Sequence, residues 1–100
     1  MYENFVGQRQ RKALTAAERA LRALGAGNAA GARKAAAQAV DLDQVGVYSG
    51  LDTAVAPLAD SLDRGEAIDD AGWDSLIAVL GLGPLSGLVD ELRGEDDGPR

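Results

Sequence analysis

Three glycines, Gly25, Gly27 and Gly31, stand just ahead of Arg33 and Lys34 in the stretch LGAGNAAGARKAAAQAV, residues 24–40. Glycine clusters followed by cations can hold phosphate, because backbone without Cβ atoms lets several N–H groups converge on an anion. The spacing argues against the two familiar forms of that loop. A Walker loop needs a second glycine five residues after the first, then Lys and a hydroxyl. Counting on from Gly25 and Gly27 reaches Ala30 and Ala32, and Lys34 is followed by Ala35, which supplies no hydroxyl for magnesium. The dinucleotide fingerprint is missed by one residue, and it should follow a strand, whereas residues 13–24 read as helix. An anion site at a helix N-terminus stays open. The same residues also serve as a plain turn: Gly25 accepts positive φ, Gly27 makes a tight link, Asn28 caps the next helix, and Gly31 lets another helix approach.

Other reactive sets are thin. Asp69, Asp70 and Asp74 could form an acid–base or metal cluster, but all three lie near the start of a helix, where carboxylates favour the positive end of the dipole. Glu66 lacks a spaced partner set. Ser49, Ser61, Ser75 and Ser86 have no activating partner, since the chain contains no His, and it contains no Cys. The commonest neutral-pH base and the commonest metal ligands are therefore missing. The expectation is a non-enzyme with no cofactor and no metal.

Charge is distributed unevenly. The net −6 divides into +5 over residues 1–40 and −11 over residues 41–100. Halves of opposite sign attract within a fold or between copies. The sharpest basic run is QRQRK, residues 8–12, beside Tyr2 and Phe5. Its cations Arg9, Arg11 and Lys12 suit a nucleic-acid arm, an interfacial membrane anchor, or a solvated helix face. No apolar run is long enough to span a bilayer, and the N-terminal residues lack a signal-peptide core. With no Cys, the chain suits a reducing cytoplasm. Eight Arg against two Lys, with 19 Ala and 13 Gly, fits a GC-rich bacterial source.

The elements that must position these residues are helices. Ala is the best helix former, strand-forming residues are sparse, and VGVYSG, the nearest candidate strand, is bounded by glycines. The first helix is expected over residues 2–24, with Leu14, Ala17, Leu21 and Leu24 on one face. Thr15 and Glu18 spell a capping box, which would start the helix at Thr15 and leave residues 1–12 as a separate arm. A second helix over 29–42 follows the Asn28 cap, with Ala32, Ala36, Ala39 and Val40 inward. Residues 43–47 read as a connector. Tyr48, Leu51, Val55, Leu58 and Leu62 form the clearest amphipathic stripe, in a third helix over 48–64 that Pro57 should kink or restart. Asp69 caps a fourth helix over 70–80, with Ile68 and Trp73 as a hydrophobic staple. After the turn GLGP, Pro84 opens a last helix over 85–93, with Leu85, Leu88, Val89 and Leu92 inward and Gly94 as its stop. The sequence thus predicts an all-α bundle of four to five helices in one domain, residues 1–94, with antiparallel hairpins joined by short turns. Residues 95–100 read as a disordered acidic tail.

Residues 27–44, GNAAGARKAAAQAVDLDQ, resemble the second half of a helix-turn-helix repeat of the tetratricopeptide type. The family's small-residue positions fall on Ala32 and Ala39. Its large aromatic position falls on Ala36 and its terminal Pro on Gln44, and there this chain departs from the pattern. In the first half Ala20, Leu21 and Leu24 fit. The resemblance covers residues 12–44, one repeat, and implies an antiparallel helical hairpin. The expected role is a protein–protein interaction module, self-association included, whose groove between the first two helices offers Arg19, Arg22, Arg33 and Lys34 to an acidic partner. The alternatives are a nucleic-acid-associated protein using Arg9, Arg11 and Lys12, and a structural protein whose N-terminal helix swaps into a second copy.

Overall fold

The computed structural model describes residues 2–43, 45–81 and 85–93, and side chains for 7–43, 45–81 and 85–92. Within these residues the chain forms five helices: α1 (Tyr2–Gly25), α2 (Ala29–Leu42), α3 (Leu51–Asp63), α4 (Asp70–Leu80) and α5 (Leu85–Arg93). The expected all-α class is what is observed. The positions proposed for the terminal Pro of the repeat (Gln44), the turn at 82–84, the stop at Gly94 and the tail at 95–100 lie outside the described residues, as do the side chains of Tyr2 and Phe5.

The most extensive contact in the molecule joins α1 to α2. A three-residue turn makes the two antiparallel, and alanine lines both sides of the seam. Ala13, Ala16, Ala17 and Ala20 on α1 and Ala32, Ala36 and Ala39 on α2 are all buried. Small side chains allow the two backbones to approach closely, and they favour the helices that carry them. The large apolar residues sit on the other side. α3 packs against α2 and α1, α5 packs against α1, and α4 bridges α3 and α5. Leu21, Leu51, Val55, Leu76 and Val89 are the largest fully enclosed side chains. Trp73 is buried in the same core, and Leu62 and Leu92 are packed on its margin. The molecule measures 47 × 32 × 19 Å; the long dimension follows from α1, whose 24 residues rise about 36 Å.

Several local expectations are corrected. Thr15 does not cap a helix. Its Oγ1 donates to the carbonyl of Arg11 (3.0 Å) inside a continuous α1, and Glu18 pairs with Arg22 instead of folding back. Residues 2–12 are therefore the first half of α1. The positive φ expected at Gly25 falls on Gly27. Gly27 holds the positive φ of +79°, and it closes a Schellman motif in which Asn28 N–H donates to Ala23 and Gly27 N–H to Leu24. Gly25 ends α1 and is where α5 comes close: a Cβ there would lie 2.9 Å from Leu92 Cδ2. At Gly31 the nearest neighbours come from the Asn28 cap and not from a second helix. An added Cβ would meet the Asn28 side chain at 2.5 Å, the same side chain whose Oδ1 accepts the Gly31 N–H at 2.9 Å. A larger residue at Gly31 would make the Asn28 side chain shift from this position.

α3 begins at Leu51, because Gly50 before it takes φ +89°; Tyr48 is still buried against the core. Pro57 neither ends nor restarts α3, which runs through it. The lost N–H leaves the Thr53 carbonyl without its helical partner, and both Thr53 and Pro57 are exposed, so water can satisfy that carbonyl. Asp69 caps α4 as expected, accepting from Gly72 N–H at 2.9 Å.

Candidate interaction groove

The four cations Arg19, Arg22, Arg33 and Lys34 separate into three places. A helix turns 100° per residue, so the adjacent Arg33 and Lys34 point to different sides of α2. Arg33 reaches α3, where its Nη2 donates to Asp60 Oδ1 (2.5 Å) and Asp63 Oδ2 (2.8 Å). These two carboxylates raise the Arg33 pKa above its ordinary value. Here the basic and acidic halves of the chain attract each other within the fold. Arg22 pairs with Glu18 one turn back at 3.1 Å, and both border a shallow depression between α1 and α5 that also contains Leu14, Leu85 and Leu88. Because the Arg22 and Arg33 ion pairs are exposed, they are screened by salt and hold the helices only weakly.

Arg19 and Lys34 are brought together. They face each other across the outer furrow between α1 and α2, with Ala23, Asn28, Gly31 and Gln38 beneath and beside them. The furrow continues toward the N-terminal half of α1, where Lys12, Thr15 and Leu42 line it with Arg19, and then to Gln8 and Arg9. From Gln8 to Ala23 it follows α1 for about 22 Å. Among the described residues its walls come from α1, α2 and their turn, with no Asp or Glu lining it. Among the described residues, Lys12, Arg19 and Lys34 form no ion pair. The result is a basic, acid-free groove on a protein of net charge −6.

Arg9 and Arg11 differ from these three. Arg9 Nη2 donates to the backbone carbonyl of Asp41 at 3.3 Å, tying α1 to the end of α2, while its buried Nε has no partner among the described residues. Arg11 is exposed. No protein family, curated protein or solved structure matches this chain. The geometry of the groove is therefore the basis on which a function is assigned. No helix among the described residues is long and apolar enough to cross a membrane.

Sequence reasoning overlooked Asp43. The α2–α3 connector wraps around its carboxylate, which accepts N–H bonds from Val45 (3.3 Å), Gly46 (3.0 Å), Val47 (3.1 Å) and Tyr48 (2.8 Å). Gln10 of α1 donates a further bond at 3.0 Å. Local clues existed: an Asp just past a helix end, followed by a loop with glycines, favours side-chain-to-backbone turns. The bond from α1 left no local clue. The loop so fixed presents Val45 and Val47 to solvent, 64% and 47% exposed.

Burial opposes ionisation of Asp43, but the bonds from Gln10, Tyr48, Val45 and Val47 outweigh it and hold the carboxyl below its ordinary pKa. A depressed folded-state value contributes stability above the unfolded carboxyl pKa of about 3.9 and loses it as pH falls through the folded value. The protection of the amides of residues 45–48 relative to their intrinsic exchange rates is therefore expected to hold from neutral pH down to the ordinary carboxyl pKa of about 3.9 and to fall below it. Asp43→Ala removes the charged acceptor and is expected to cost about 1–2 kcal/mol in urea unfolding, since most of the released N–H groups can reach water. Asp43→Asn should recover part of that loss.

Proposed function

We propose that this protein is a small, non-catalytic interaction module whose α1–α2 groove receives a carboxylate-rich segment of a protein partner. One observation carries the reading: among the described residues, Lys12, Arg19 and Lys34 line a single groove with no carboxylate in its walls and no ion pair of their own. Unpaired cations collected in one concave strip, on a chain that is acidic elsewhere, generate a local potential opposite to that of the rest of the surface, which favours and orients an acidic ligand. Lys12 and Arg19 are seven residues apart, about 10 Å along α1. That spacing matches carboxylates three residues apart on an extended strand or seven apart on a helix. The hairpin over residues 12–44 is read as one repeat unit of the tetratricopeptide type acting through its outer face, in a bacterial cytoplasm. The acidic half of a second copy offers the same chemistry, so self-association belongs to this reading.

The test is a fluorescence-anisotropy titration with a labelled ten-residue Glu/Asp peptide at about 50 mM salt, where charge attraction is strong. Arg19→Glu with Lys34→Glu should weaken binding at least tenfold, equivalent to about 1.4 kcal/mol. Arg33→Glu, which alters the α3 contact, should leave peptide affinity nearly unchanged. Equal affinity of the double variant and the parent would sink the proposal. The nucleic-acid reading finds support in the exposed Arg11 beside Lys12. A mobility shift of duplex DNA or RNA at low salt, lost in Arg11→Glu with Lys12→Glu and preserved in Arg19→Glu with Lys34→Glu, would favour it instead.

A further inference from the structure

α5 ends against the same α1–α2 turn that borders the basic groove. Leu92, one residue before the end of α5, rests against Gly25, the last residue of α1. The near end of the groove is formed by Ala23, Asn28 and Gly31, on either side of the same turn. The residues that follow α5 in the sequence are Gly94, Glu95, Asp96 and Asp97, three carboxylates in succession. Lys34 lies six residues beyond Asn28 and Arg19 six before Gly25, so each cation is about 9 Å from the turn along its helix. Crossing to the outer face takes about one helix diameter, 10 Å. Four residues beyond Arg93 extend at most about 14 Å, and the long side chains of Arg19 and Lys34 reach toward them.

We infer that the acidic segment 94–97 of this chain is itself an occupant of the Arg19–Lys34 end of the groove. The inference rests on the groove being an acidic-segment site, as proposed above, and adds how that site is controlled. Three arguments select this occupant. Its charge is complementary to two cations that no carboxylate among the described residues pairs. Its reach is sufficient. Its tether to α5 gives it a local concentration in the millimolar range, which a free partner must exceed or outbind. The contact is exposed and electrostatic, so salt weakens it, and an external acidic segment displaces it. The groove is then self-screened when no partner is present.

The chain has only two lysines, Lys12 and Lys34, which makes zero-length carbodiimide cross-linking a direct test. The full chain is mixed with an equal amount of ¹⁵N-labelled chain, cross-linked at low salt, and the monomer and dimer fractions are digested and weighed. The expected product is an amide between Lys34 and Glu95, Asp96 or Asp97, within chains of unmixed label, falling several-fold at 0.5 M NaCl. Mixed-label products predominating would mean that a second copy supplies the segment, and would overturn the inference; so would the absence of any Lys34 link to residues 95–97. As a second measurement, Glu95→Gln/Asp96→Asn/Asp97→Asn in the full chain should bind the Glu/Asp peptide about three- to tenfold more tightly than the parent. Equal measurable affinity of the two chains overturns the inference. If the cross-link forms while the peptide binds neither chain, the segment docks as inferred and the partner reading above is what fails.

Discussion

Leu21→Ala is expected to lower the unfolding free energy by about 3–4 kcal/mol and the melting temperature by roughly 15–25 °C. Leu21 is fully enclosed, the one large side chain among the described residues of α1 with no solvent exposure. Truncating a buried Leu loses its transfer free energy and leaves a cavity, at a cost of about 2–5 kcal/mol that depends on how far the surroundings collapse. Collapse is restricted here. On α1 and across the α2 seam the neighbouring buried side chains are mainly alanines, which have no rotamers with which to refill a void. The total stability of a domain of this size is about 5–15 kcal/mol, so the loss is a large share of it. Leu14→Ala provides the comparison, because Leu14 is half-buried at the margin of the core and should cost about 1 kcal/mol. Urea unfolding followed by Trp73 fluorescence reads both. A Leu21→Ala cost below 1 kcal/mol would mean that the core is not organised around this residue.

Ala36→Phe is expected to destabilise by about 3 kcal/mol, through excess volume rather than a cavity. Ala36 has no exposed surface and lies in the alanine seam, and adding a phenyl ring there must push α2 away from α1 along their whole contact. Ala37→Phe, one residue on and exposed, should stay within about 0.5 kcal/mol of the parent. The pair of variants bears on the resemblance to a tetratricopeptide-type repeat, which places a large aromatic at position 36. If Ala36→Phe were neutral, the hairpin would have the room that such a repeat provides. The expected loss would show that this chain has closed that space by bringing the backbones together.

Much of the helical framework was legible because its determinants are local. The Asn28 and Asp69 caps each depend on a side chain accepting an N–H three residues ahead, and the stripe Leu51, Val55, Leu58 follows from 3.6-residue periodicity alone. The misread positions are those with two local solutions. Thr15 with Glu18 can cap a helix start or sit within a helix, where the hydroxyl bonds back one turn. The second outcome prevails because the apolar face of α1 continues past Thr15 to Ala13 and must stay against α2. Gly25 and Gly27 likewise both suit a helix end, and the choice between them fell to α5, whose Leu92 needs the space at Gly25.

The candidate site was legible as an inventory and not as an arrangement. The sequence by itself determined the all-helical class, the turn after Leu24, and the presence of basic residues on α1 and α2, since composition, capping and periodicity act over a few residues. Only the tertiary structure decided which cations share a groove. Arg33 is spent on Asp60 and Asp63, 27 and 30 residues away, while Lys34 beside it joins Arg19 on the opposite flank. It also decided that Asp43 organises a loop with help from Gln10, 33 residues distant. Such pairings depend on how packed helices rotate about their axes, and that rotation is set by the alanine seam and the leucine core together, not by any one segment.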